Sequence, residues 1–202
     1  MTDAVDAVEP AGGKESSDGD RPRPVAPWIA LGIAVVMIGL FVLLVGADTG
    51  GGEDAESPLL GRPAPEAVGT LLDGANFDLS QRKGSWVVIN FFRADCAPCI
   101  AEHPDLVAFV DDQDALGTEG AEFYSIVVND SREDVEEFFA ERGGDWPVVL
   151  EHEQIDVAFG VALVPETWII DPSGVVQVRI ISRVSEERLN VTMRQLREAY
   201  AA

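Results

Sequence analysis

WVVINFF, running from Trp86 to Phe92, is the stretch that most limits what this chain can fold into. It carries no charge and is rich in β-branched and aromatic side chains. A continuous apolar run of strand length has no side to show to water, so it reads as a strand covered on both faces. Such a strand needs packed layers above and below it.

The surrounding pattern supplies those layers. Val68–Leu72 and Asn76–Leu79 flank Asp73-Gly74 and predict a hairpin. A helix is expected from Pro98 to Leu116, with Ile100, Leu106, Val107 and Val110 among its apolar positions, then a buried strand over Ala121–Val128. Ser131, with Asp134 three residues later, predicts the cap of a helix that runs to Arg142. A short strand at Val148–Leu150 and a short helix at Ile155–Phe159 follow. Thr167–Ile170 and Val175–Ile181 flank the turn Asp171-Pro172-Ser173-Gly174, and Glu186–Tyr200 closes the chain as a helix. The expected fold class is α/β: a mixed sheet with parallel and antiparallel members and helices on both faces.

Ahead of this domain the composition changes. Residues 1–24 are polar and Pro-rich with no apolar period, and read as a disordered tail. Residues 25–47 carry no charge, and as a helix they reach roughly 35 Å, against about 30 Å of hydrocarbon in a bilayer. Arg21 and Arg23 precede the run, while Asp48, Glu53, Asp54 and Glu56 follow it. The positive-inside rule then puts the tail in the cytoplasm and the domain on the far side of a cell membrane. Val45-Gly46-Ala47 resembles a cleavage site, so a removed signal peptide is the alternative to a single-pass anchor. Residues 48–58 read as a flexible linker, and the folded domain as residues 59–202.

The chain has two cysteines, Cys96 and Cys99, placed between the apolar strand and the helix after it. A thiol at a helix N-terminus meets unpaired amides and the positive end of the dipole, both of which favour the thiolate. A second thiol one turn in is spaced to attack a mixed disulfide formed by the first. Cys96 is therefore expected as the nucleophile and Cys99 as the resolving thiol. Pro98 suits the first helical turn, where its missing N–H has no intrahelical partner in any case. With two cysteines, His103 and His152, a four-ligand metal site would consume every thiol and imidazole in the chain, and none is expected.

VVINFFRADCAPCIAEHP resembles the active-site segment of the thioredoxin-like family, in particular the exported TlpA, ResA and CcmG/DsbE group of thiol-disulfide oxidoreductases. GVALVPETWIIDPSGVV, Gly160–Val176, is similar to a second segment of that group. The resemblance covers roughly residues 59–200. It implies a thioredoxin-like fold, a redox-active Cys96–Cys99 disulfide with no further cofactor, and a cis-proline at Pro165 that keeps Val164 extended beside Cys96. It also matches Glu102 to an acidic residue that influences the cysteines. A helix puts Glu102 on the same side as Cys99, where it can relay a proton. Glu166 matches another acidic position, and Pro104 the proline that kinks the helix. Asp95, Ala97, Pro98, Val164 and Glu166 are expected to form the surface on which a substrate docks, with Val164 pairing to its main chain.

The chain departs from that group where Asp95 replaces the usual Trp and Phe92 precedes Arg93. A carboxylate beside Cys96 disfavours the thiolate, Arg93 offsets it, and a raised thiol pKa suits a reductant. The net charge of −22 argues against nucleic acid as a partner. The implied partners are proteins with reducible disulfides, apocytochrome c among them, and a membrane electron donor of the CcdA or DsbD kind. Alternatives are a general exported disulfide oxidant or isomerase, a peroxide reductase, and a non-catalytic or copper-handling scaffold using Cys96, Cys99 and His103. Peroxiredoxins place Pro and Thr seven and three residues before the reactive Cys, where this chain has Ile89 and Arg93.

Overall fold

The computed structural model describes residues 26–45, 53–152 and 154–201, in two separate units, 1–47 and 48–202. In the first unit, helix α1 (Ala26–Val45) contains no charged residue. Counted over the described side chains, no helix is long and apolar enough to cross a membrane. The tail at residues 1–24, residues 25, 46 and 47 of the expected span and residues 48–52 of the expected linker lie outside the described residues.

The second unit is an eight-stranded mixed sheet in the order β1-β8-β7-β4-β5-β6-β2-β3. Its strands are β1 (Glu53–Asp54), β2 (Val68–Leu71), β3 (Asn76–Asp78), β4 (Val87–Phe92), β5 (Glu122–Val127), β6 (Val148–His152), β7 (Glu166–Ile170) and β8 (Val176–Ile181). The helices are α2 (Ala97–Ala115), α3 (Arg132–Arg142), α4 (Ile155–Phe159) and α5 (Glu186–Tyr200). β4 runs parallel to β5 and antiparallel to β7, so the expected mixed sheet is present with β4 near its middle.

Every residue of β4 is buried, as an apolar run without a polar face requires. Alternation sends Val88 and Phe92 to the layer of α2, α3 and α5, with Leu106, Phe109, Val135, Phe138, Leu189 and Met193. Val87, Ile89 and Phe91 go to the other face, against Ile155 and Phe159 of α4 and Trp168, Ile170 and Val176 of the sheet. Asn90 is the one polar residue in this strand, and it faces the α2 layer.

Ser131 caps α3 by accepting from the Asp134 amide at 3.1 Å, as the sequence predicts. One boundary differs. Residues 53–58, read as linker, include β1, whose Glu53 and Asp54 pair with Ile181 and Ile180. The polar composition concealed this because an edge strand pairs through its main chain and needs no apolar side chain.

Candidate functional site

α2 starts where β4 and its following loop deliver Cys96. Cys96 is the N-cap, with φ −80° and ψ 111°, and its Sγ accepts from the Cys99 amide at 3.3 Å. Ala97 and Pro98 form the exposed first positions of the helix. Cys96 and Cys99 are joined as a disulfide with their Cα atoms 5.2 Å apart. Cys96 is half-buried, while Cys99 is 2% exposed, so an incoming group meets the first sulfur before the second.

The Val164–Pro165 peptide is cis, and the Val164 carbonyl oxygen lies 3.6 Å from Cys96 Sγ. In the disulfide this is a contact, since the sulfur carries no proton; the dithiol form has one to donate there. Leu163 beside it is 81% exposed. The loop before Cys96 is held by Asp130, whose carboxylate accepts the Ala94 amide at 2.6 Å. Asp95 is exposed and gripped by the Arg93 guanidinium through contacts of 2.6, 2.7 and 2.9 Å. Its charge is thus balanced next to the sulfur.

Glu102 is fully buried one helical turn beyond Cys99. Its two oxygens accept from Asn90 Nδ2 at 3.0 Å and from the Val184 amide at 3.1 Å. Asn90 also donates to Thr167 Oγ1 at 3.1 Å, because Asn90 and Thr167 are opposite each other in the β4–β7 pair. Burial pushes the Glu102 carboxyl up to about 7, against the lowering effect of the Val184 amide and Asn90. Asp105 adds to the rise, and Arg183 opposes it.

Glu166 does not form the expected docking surface. It is buried at 2% exposure, with Arg179 donating at 3.0 and 2.9 Å and Trp168 Nε1 at 2.7 Å. Strand alternation is the reason, since it turns Glu166 to the opposite side of the sheet from Thr167 and Glu102. Asp95, Ala97, Pro98 and Val164 do gather round Cys96.

His103 is buried between Phe138, Phe139 and Trp146, with ring centroids 4.7, 5.5 and 5.3 Å away, and its Nε2 pairs with the Gly143 carbonyl at 2.8 Å. Burial lowers its pKa, and Arg142 works in the same direction. The sequence did carry a signal for these groups. Cys99, Glu102, His103, Leu106, Phe109, Val110 and Gln113 make one stripe at helical spacing, so its polar members had to be inside. Asn90, Thr167, Asp130 and Arg179 left no comparable trace. Among the described residues, no group of three or more His, Cys, Asp or Glu is arranged to hold a metal.

A half-buried sulfur at a helix mouth, a resolving sulfur beneath it, a main-chain acceptor alongside and a carboxyl that titrates near neutrality can exchange disulfides and move a proton. Known proteins with similar chains fit that chemistry. Residues 60–179 match the model of the AhpC/TSA family. The chain is 30% identical over 135 residues to the thiol-disulfide oxidoreductase ResA of Bacillus subtilis (strain 168), covering 66% of this chain and 73% of that protein. It is also 30% identical over 135 residues to the thiol:disulfide interchange protein HelX of Rhodobacter capsulatus, covering 64% and 72%. Among solved structures, a thiol:disulfide interchange protein of the thioredoxin family from Chlorobium tepidum TLS superimposes with a TM-score of 0.59 at 27% identity, over 70% of this chain and 98% of that one.

Proposed function

The chain belongs to the AhpC/TSA family and is a thiol-disulfide oxidoreductase of the ResA/DsbE type, and from that premise we propose that it acts as a membrane-anchored, extracytoplasmic reductant serving cytochrome c maturation. The observation that carries the reductive reading is Glu102: a buried carboxyl, titrating at about 7, on the helix that holds both cysteines. An ionised carboxylate near a thiol pair disfavours the thiolate, which stabilises the disulfide relative to the dithiol and makes the dithiol the better electron donor.

In the proposed reaction the Cys96 thiolate attacks one sulfur of a substrate disulfide. A mixed disulfide forms and the first substrate thiolate leaves. Glu102 takes the Cys99 proton, and the Cys99 thiolate attacks Cys96 Sγ, closing the internal disulfide and expelling the second substrate thiolate. Two electrons pass to the substrate, and its two thiolates are protonated by the proton that Glu102 gives up to water and by the one that Cys96 released to water on forming its thiolate. Val164 holds the substrate's main chain in line during the attack. A membrane donor of the CcdA or DsbD kind returns two electrons and two protons, and α1 keeps the domain at the bilayer where that donor works.

The peroxide-reductase alternative is disfavoured, because the position of the peroxiredoxin Thr hydroxyl is held by Arg93, which is taken up by Asp95, and the position of its Pro by Ile89, buried in the sheet. The test is Cys99→Ser in cells, which stops the second step and leaves substrates bound to Cys96. Captured cytochrome c precursors are the expected result. A broad mixture of exported proteins would instead point to a general oxidant or isomerase.

A further inference from the structure

We propose that Arg179 is a positioning residue for substrate docking: it grips both ends of the Gly160–Pro165 loop and thereby fixes the Val164 main chain beside Cys96. The inference rests on the disulfide-exchange reading above and extends it to a residue outside the thiol site.

Gly160 ends α4 in the left-handed region at φ 70°, and Glu166 opens β7 immediately after Pro165. Between them stand Val161, the exposed Ala162 and Leu163, and Val164. Among the described residues, the loop's own main-chain bonds stop early: Gly160 donates to Val157 at 3.0 Å and Val161 to Asp156 at 2.8 Å. The amides of Ala162, Leu163 and Val164 make no turn or loop hydrogen bond to the main chain among the described residues.

Arg179 spans that gap. It stands opposite Trp168 in the β7–β8 pair, which puts it on the same face as Trp168 and Glu166. Its Nε and Nη2 form a fork on the two Glu166 oxygens, at 3.0 and 2.9 Å. Nη2 also reaches the Gly160 carbonyl at 3.5 Å, and Nη1 the Glu56 carbonyl at 3.4 Å. The guanidinium is seated 5.3 Å from the Trp168 ring centre, and Trp168 Nε1 holds Glu166 in turn. One rigid planar cation therefore ties the start of the loop, its end and the segment entering the domain. A lysine ammonium is a point donor without the fork, so it can neutralise Glu166 but cannot hold all three places together.

A substrate that pairs with the Val164 main chain needs the loop in one register, whereas a small aromatic disulfide needs only the exposed sulfur. The experiment compares Arg179→Lys with the unaltered full-length chain, both purified in detergent and folded by circular dichroism. Reduction of insulin is measured against reduction of 5,5′-dithiobis(2-nitrobenzoate). In the variant, the insulin-to-small-disulfide ratio of kcat/KM should fall about tenfold. The change should appear in KM for insulin, since the sulfurs themselves are untouched. Arg179→Met, which keeps the stem over Trp168, should lower the ratio further. A folded Arg179→Lys chain that keeps the ratio, or loses both rates equally, overturns the proposal. An unaltered chain with no preference for insulin would remove the docking role of Val164 and this inference with it; a preference that survives Arg179→Lys removes this inference alone.

Discussion

Replacing Glu102 by Gln should flatten the pH dependence of stability across the neutral range. Burial holds the Glu102 carboxyl at about 7, whereas in the unfolded chain it titrates at its ordinary 4.5. Between these values the folded protein keeps a proton that the unfolded chain has released. The stabilisation is therefore complete below pH 4.5 and is lost as pH rises through about 7. The interval corresponds to about 3 kcal/mol, on the order of a third of a domain's net stability. The amide introduced by Glu102→Gln would keep the shape, but it has a single acceptor oxygen for the two donors, Asn90 Nδ2 and the Val184 amide. That mismatch costs the variant a fixed amount at every pH, so the slope carries the information and the offset does not.

The measurement is urea unfolding of the disulfide form of residues 48–202, at several pH values from 4.5 to 8, for both chains. The difference between them cancels every other titrating group, including His103, whose lowered pKa acts in the opposite sense. With a urea slope of about 2 kcal/mol per molar, the gap between the two midpoints should change by roughly 1.5 M over the range, in favour of the variant as pH rises. A gap that stays constant with pH would refute the argument. It would mean that Glu102 titrates like an exposed carboxyl despite its burial.

His103→Phe should remove a loss on the acid side. Burial lowers the His103 pKa, so this group costs the folded protein stability as pH falls below 6.5. The gap between the melting temperatures of parent and variant, which cancels the opposite contribution of Glu102, should move against the parent between pH 7 and pH 5, and a constant gap would refute it. Asp130→Ala strips the acceptor from the Ala94 amide and should cost about 1 kcal/mol, read as a melting temperature lower by a few degrees. The same change loosens the loop leading into Cys96, so reduction of the disulfide by dithiothreitol should also change in rate; an unchanged melting temperature would show that water replaces Asp130 at no cost.

The elements were readable wherever local pattern and tertiary demand agree. WVVINFF reads as a central strand, Ser131 caps the helix that follows it, and Cys96–Cys99 sits where strand gives way to helix. What escaped depends on partners distant in the chain. Asn90 meets Thr167 and Glu102 through strand register and helix packing, and neither spacing nor composition encodes that meeting. β1 escaped because a two-residue edge strand has no side-chain pattern to read.

Glu102 and Glu166 show why residue type and motif position alone do not fix a role. Both are buried carboxyls, expected near the dithiol, and the fold places them on opposite sides of one sheet. Glu166 meets a fork from Arg179 and an indole N–H, so its charge has a matched countercharge and its job is to hold other groups in place. The hydrogen-bond partners of Glu102 are neutral, an amide side chain and a peptide N–H, which solvate a carboxylate without cancelling it. Desolvation therefore dominates and brings the carboxyl to the pH at which thiols exchange protons. A paired carboxylate and one that keeps its proton up to about 7 thus differ by one hydrogen-bonded guanidinium, which β8 provides to Glu166 on one face of the sheet, whereas Arg183 acts on Glu102 only through its charge.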